Sequence, residues 1–316
     1  MTERRVLVTG ADGLLGRGVR AVVHEYPHLE FRCVSWHNPP HYDLTDRRDV
    51  ATMIHAIRPD AILHLAAVSG GVSLSQHRPA SLLRNNVLMD LNMLDHTGGD
   101  CKLVLSLSIG MYPSSAAVPY VEGSIHNGLP SCVAYSYAHA KRLLEPAIRA
   151  YRAECGTHVI GLVPTGILGE HANFTRDGAT MACALIRRCY EARFAPDPIV
   201  VHGDGTPLRV HTDSQDMARA YMWALSNYDD EDILNVGTEE VHSVREIATW
   251  VAEELNIDPG RFVFDGMLAG GLPVQQADTS RFRARCDMTF RPFRETLSRT
   301  IRWFCDHYHE PGVVRL

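Results

Sequence analysis

The chain opens on a strand-like run that ends in glycines. Arg5–Gly10 (RVLVTG) leads directly into Thr9-Gly10-Ala11-Asp12-Gly13-Leu14-Leu15-Gly16, and Leu14–Glu25 then carries the apolar spacing of a helix. Glycine is needed where a backbone turns sharply and must approach a diphosphate closely. The helix start beyond it offers unpaired N–H groups and the positive end of a dipole. A G-x-x-G-x-x-G turn between a strand and a helix is the context in which this pattern means dinucleotide binding.

The same alternation continues. Phe31–Ser35, Ala61–Ala67, Leu103–Ile109 and Val159–Pro164 read as strands apolar on both faces, separated by helical stretches at Arg47–Ile57, Ser81–Thr97 and Tyr137–Glu154. Strand and helix in turn predict an α/β fold with a doubly wound parallel sheet. After residue 165 the pattern loosens into glycine-rich loops with helices at Thr180–Arg193 and Ser243–Leu255. A helix at Gln215–Ser226 and a strand at Ile233–Val236 are expected to rejoin the sheet. The expected organisation is a dinucleotide-binding domain of residues 1–165 plus 213–238, with a smaller α/β substrate lobe of residues 166–212 plus 239–316.

Composition excludes several alternatives. A net charge of −6 gives no general attraction to nucleic acid or an anionic membrane. No apolar run is long enough to cross a bilayer, and the N-terminal residues lack the apolar core of a signal peptide. The eight cysteines (33, 101, 132, 155, 183, 189, 286, 305) are scattered, without the clustering of a zinc site or a disulfide framework. No metal is expected, and the location reads as cytoplasmic. Of 31 cationic residues only Lys102 and Lys141 are lysines. Lys102 reads only as a solvated strand end.

Lys141 lies four residues after Tyr137, which puts an ammonium and a phenol on one helix face. A nearby cation favours the ionised phenol, so the pair can move a proton to or from a secondary alcohol or its ketone. Ser108, at the end of the strand just before this helix, can donate to the same oxygen. The type of dinucleotide is read from the end of the second strand. An acid there favours NAD and an arginine favours NADP, but the residues are Ser35-Trp36-His37. Asp12 would repel a 2′-phosphate, so the expected cofactor is NAD, with NADP not excluded. Asp43 could meet the adenine or cap a helix.

TGADGLLG, HLAA at 64–67, Ser108 and Y-x-x-x-K at 137–141 together resemble the extended short-chain dehydrogenase/reductases, the NAD-dependent epimerase/dehydratase family with a Rossmann fold. Ile125-His126-Asn127-Gly128, Pro164-Thr165, His171-Ala-Asn173-Phe174 and Gly205-Thr206-Pro207-Leu208-Arg209 are similar to the GDP-L-fucose synthase group within it. The resemblance covers nearly the whole chain. It implies Ser108, Tyr137 and Lys141 as catalytic residues. It also implies a cofactor site of Gly10, Asp12, Gly13, Leu14, Leu15, Gly16, His37, Asp43, Leu44, Leu65, Ala66, Ala67 and Pro164. The substrate would be a nucleotide-diphosphate sugar, held by Ser69, Gly70, His126, Asn127 and Asn173, with Arg209 on the diphosphate. A homodimer built on the helices at 81–97 and 137–154 is implied as well.

The departures matter as much. That group abstracts protons at sugar C3 and C5 with a cysteine and a histidine, and the matching positions are Gly110 and Ala179. Its asparagine after Pro-Thr is Gly166. Hydride chemistry at C4 is what remains, and it has two forms. An NAD-retaining C4-epimerase returns the hydride to the other face of the ketose. A reductase of a nucleotide-linked 4-keto sugar delivers hydride once. The sequence reading favours the epimerase. A relocated acid at Cys183 or His126, and a non-catalytic dinucleotide sensor, are the remaining possibilities.

Overall fold

A computed structural model describes residues 4–36, 39–194, 196–267 and 272–316. His37 lies outside the described residues. Strands β1 (Arg4–Thr9), β2 (Leu29–Val34), β3 (Ala61–His64), β4 (Lys102–Ser106) and β5 (Val159–Pro164) form a parallel sheet in the order β2-β1-β3-β4-β5. The chain returns late to add β9 (Leu234–Val236) as a sixth parallel strand beside β5. The direction of winding reverses between β1 and β3, so their C-terminal ends frame the crevice where ligands of such sheets bind.

Helix α1 (Leu14–Val22) covers one face with α8 (Ser214–Asn227), burying Leu15, Val19, Met217 and Tyr221 against Val6, Val8 and Leu63. The other face takes α2 (Arg47–Ile57), α4 (Pro79–His96) and α6 (Leu144–Cys155), through Val50, Met53, Met93 and Ile148. A short α3 (Val72–His77) precedes α4. The single helix expected over 137–154 is two, α5 (Tyr135–Arg142) and α6, because Pro146 has no N–H to give the carbonyl of Arg142. The third strand is also shorter than expected. It ends at His64, and Leu65–Ala67 leave the sheet.

A third core joins β6 (Gly166–Leu168), α7 (Met181–Ala192), β7 (Ile199–His202), α9 (Val244–Leu255) and α11 (Phe293–His307), around Phe174, Ile186, Val251 and Phe304. Here β8 (Leu208–Asp213) lies between β10 (Val241–Ser243) and β12 (Val274–Gln275) and also pairs with β6. β11 (Phe262–Asp265) pairs with β7, and α10 (Ser280–Arg283) lies beyond β12. Among the described residues no helix is long and apolar enough to cross a membrane.

Lys102 is not a solvated strand end. Its ammonium donates to the carbonyls of Ala224, at 3.2 Å, and Tyr228, closing the C-terminus of α8, where the dipole is negative.

Candidate active site

β1 delivers the glycine turn. Gly10 has φ +66°, and a Cβ there would lie 2.6 Å from the amide nitrogen of Ala66; one on Gly16 would lie 2.4 Å from the carbonyl oxygen of Gly10. Gly13 precedes α1 without any side-chain cap, so the first N–H groups of the helix stay available. Above them lies a cleft of about 1020 Å³, and Gly10, Asp12, Gly13, Asp43, Leu44, Leu65, Ala66 and Ala67 all line it. Leu15 and Gly16 instead pack behind the turn, Leu14 packs against the third core, and Pro164 ends β5. Asp43 caps its own turn, accepting from the backbone and hydroxyl of Thr45 at 2.9 and 2.7 Å.

Asp12 is not the bare negative charge that the sequence suggests. Arg20 and Arg17 approach its carboxylate to 3.1 and 3.4 Å, and the Ser35 hydroxyl donates to it. The cleft also takes charged and titratable groups that were not among the expected cofactor residues. Arg17 comes from α1, Arg315 from the final segment, and His171 from the loop after β6. Arg315 donates to the carbonyl of His171 at 3.0 Å and accepts from the Phe174 amide. Burial and the surrounding cations Arg17, His307, Arg315 and Arg20 hold the His171 imidazole down at about 4. Concentrated positive charge over a glycine turn suits a diphosphate, so the cleft fits a dinucleotide. No local motif announces Arg315, because folding alone brings it across.

α5 presents Tyr137 and Lys141 beside the end of β4. Ser108 begins the short turn after β4 and accepts from the Gly110 amide at 3.2 Å, which leaves its hydroxyl near the phenol of Tyr137, where it favours the ionised form. The phenol sits above its ordinary value. Burial raises it most, Lys141 pulls it down, a carboxylate at Asp90 pushes it back up, and Ser108 favours ionisation. Lys141 does draw the phenol downward, as its spacing predicts, but burial outweighs that pull. Lys141 is 2 % exposed and pairs with Asp90, 3.3 and 3.2 Å from its two oxygens. Asp90 also faces His64 Nε2 at 3.1 Å, and His64 Nδ1 lies 2.8 Å from the Thr9 hydroxyl.

Residues 6–237 match the family model for the NAD dependent epimerase/dehydratase family. The chain belongs to that family. A GDP-L-fucose synthase of Dictyostelium discoideum is 30% identical over 312 residues, covering 97% of each chain. A probable GDP-L-fucose synthase of Drosophila melanogaster is 29% identical over 322 residues, covering 97% of this chain and 99% of its own. A GDP-L-fucose synthetase from Naegleria fowleri bound to NADP superposes with a TM-score of 0.89 at 27% identity, over 100% of this chain and 96% of that one. A UDP-glucose 4-epimerase from Thermotoga maritima shares the fold, with a TM-score of 0.82 at 20% identity over 96% and 100% of the two chains.

On the sugar side of this epimerase/dehydratase site, Ser69 and Gly70 lie in the β3–α3 connection, beside the 173–178 turn. The Gly71 amide donates to the carbonyl of Gly178 at 3.1 Å. Asn173 closes that turn by accepting from Thr175 at 3.0 Å. Arg209, on β8, donates to the carbonyls of Leu208 and Leu272, and burial pushes its guanidinium below the usual range. Asn127 is exposed. His126 Nε2 donates to the Glu145 carboxylate of α6 at 2.9 Å, and the imidazole is half exposed.

The two positions of the missing acid and base carry no proton-transferring group. A Cβ on Gly110 would lie 3.5 Å from Ser108 Oγ, and Ala179 is followed by Thr180, the N-cap of α7. Cys183 is buried in the third core, and burial pushes its thiol up to about 11, so it supplies no relocated acid.

Proposed function

We propose that the protein reduces the carbonyl of a nucleoside-diphosphate-linked 4-keto sugar with NADP(H), without epimerising C3 or C5. The observation that carries this reading is the contrast within one site. Ser108, Tyr137 and Lys141 are assembled for proton transfer to an oxygen, while Gly110 and Ala179 have nothing with which to abstract a proton from carbon.

Reduction takes precedence over the NAD-retaining epimerisation expected from sequence for two reasons. The relatives are named synthases, and a solved one carries NADP. The phenol also rests above its ordinary value, which suits a proton donor. The objection to NADP from Asp12 loses force, since Arg17 and Arg20 already pair with that carboxylate. Gly10, Gly13, Leu44 and Ala66 would hold the dinucleotide, whose nicotinamide supplies the hydride when bound. Ser108 and Tyr137 then hold the carbonyl oxygen, and Tyr137 gives it a proton. The sugar faces residues 166–212 and 239–316, with Arg209 beside its diphosphate. Half-buried Leu88 and exposed Leu83 on α4, with exposed Leu143 at the α5–α6 junction, support a homodimer through these helices, whereas Leu91 and Leu94 pack into the core. Eight free cysteines suit a reducing cytoplasm.

The test is NADPH oxidation with a GDP-linked 4-keto-6-deoxyhexose in deuterated water, the product followed by NMR. Steady NADPH consumption with no deuterium at C3 or C5 is expected. Deuterium at those carbons, or interconversion of C4 epimers with no net NADPH loss, would overturn the reading. Tyr137→Phe should abolish turnover and leave NADPH bound. A dinucleotide-binding chain inert toward a panel of nucleotide sugars would be a sensor.

A further inference from the structure

Four buried polar side chains from four elements form one row. Thr9 ends β1, His64 ends β3, Asp90 lies on α4 and Lys141 on α5, and none is more than 2 % exposed. The Ala66 amide donates to Thr9 Oγ1 at 3.4 Å, and Thr9 Oγ1 lies 2.8 Å from His64 Nδ1. His64 Nε2 faces the Asp90 carboxylate at 3.1 Å, and Lys141 meets the same carboxylate at 3.2 Å.

A buried carboxylate costs several kcal/mol of desolvation before its partners offset it. Its placement also works against the lysine: an acid that neutralises Lys141 weakens the pull of that cation on the neighbouring phenol. A site needing the strongest base at Tyr137 would leave position 90 uncharged. The groups facing this cluster are Lys141 on the helix of Tyr137, Asp90 from α4, His64 from β3, Ser108 after β4, and Tyr221 from α8, which bonds Ser106 at 2.8 Å.

We propose that Asp90, by pairing with Lys141, is a positioning residue that keeps the Tyr137 phenol loaded as a proton donor to a carbonyl oxygen. The proposal rests on the reductive reading above and deepens it. A bound reduced dinucleotide would supply a hydride to the carbonyl carbon and be oxidised, with the C=O π pair moving to oxygen. The Tyr137 O–H bond breaks and its proton completes the new hydroxyl. Lys141 balances the phenolate until solvent returns the proton.

The experiment titrates the phenol of the intact chain by tyrosinate absorbance, each protein compared with its Tyr137→Phe counterpart. Asp90→Asn should move the Tyr137 titration to lower pH by about one unit or more, while Asp90→Glu keeps it near the parent. The alkaline limb of the pH–rate profile for 4-keto sugar reduction should move by the same amount. Should Asp90→Asn not fold, Asp90→Ser, which leaves room for water beside Lys141, is read in the same way. An unmoved Tyr137 titration in a folded variant overturns the proposal. The titration needs no sugar, so a shifted phenol in a protein that reduces no 4-keto sugar would sink the reaction and leave the role of Asp90 standing.

Discussion

Gly166 and Val210 stand so close across the β6–β8 pair that a Cβ on Gly166 would lie 2.4 Å from the Val210 carbonyl oxygen. The missing asparagine after Pro-Thr is therefore a packing decision as well as a change in the sugar pocket. Gly166→Asn should cost about 1–3 kcal/mol by forcing the strands apart. Its melting temperature should fall by several degrees with no gain of C3/C5 chemistry. An unchanged melting curve would show that the strands accommodate the side chain.

Arg315 reaches the cofactor cleft from the far end of the sequence, with Arg17 opposite it. A charge-assisted hydrogen bond to a diphosphate is worth about 1.5–3 kcal/mol. Arg315→Ala should raise the Kd for NADPH about tenfold or more, most clearly at low salt, in a fluorescence titration. ADP-ribose, which keeps the diphosphate and lacks the 2′-phosphate, should lose affinity equally. A loss confined to NADPH would place the guanidinium at the ribose instead.

His211 is held down at about 4, by burial first and then by Arg209 and His242, and its ring stacks on Phe293 at 5.3 Å. The folded chain keeps it neutral, whereas the unfolded chain takes up a proton below about 6.5. Its contribution, roughly 3 kcal/mol, is complete above about pH 6.5 and declines as pH falls toward 4. His211→Phe keeps an aromatic ring on Phe293 and removes the titration. Urea midpoints measured between pH 7 and 4 should then fall less steeply than in the parent, with His171 retaining its own share. Identical slopes would mean that His211 is not the group being protonated.

Lys102 should matter to stability and not to chemistry. Lys102→Met removes the donors at the end of α8 and should cost about 1–3 kcal/mol. NADPH affinity should be unchanged, as binding and melting measured on the same preparation would show.

Local pattern carried the parts of this fold whose partners are near in sequence. The glycine turn, the apolar strands and the Tyr137–Lys141 spacing are each complete within a few residues. What could not be read depends on contacts across the chain. Asp90 meets a lysine 51 residues away and a histidine 26 residues before it, and neither spacing has a local signature. The phenol is pushed up by burial first, against the pull of Lys141, and Asp90 adds to that push. Asp12 looked repulsive until Arg17 and Arg20 closed on it.

Both lysines of the chain are engaged, buried Lys141 by Asp90 and half-buried Lys102 by the carbonyls ending α8. Every other side-chain cation is an arginine. The folded surface thus carries positive charge with scarcely a primary ε-amine to show for it. Acylating labels, aldehyde fixatives and amine-coupled sensor chips all work through such amines and will find little to hold. Tethering this protein calls for chemistry at its carboxylates or its exposed thiols, such as those of Cys132 and Cys155.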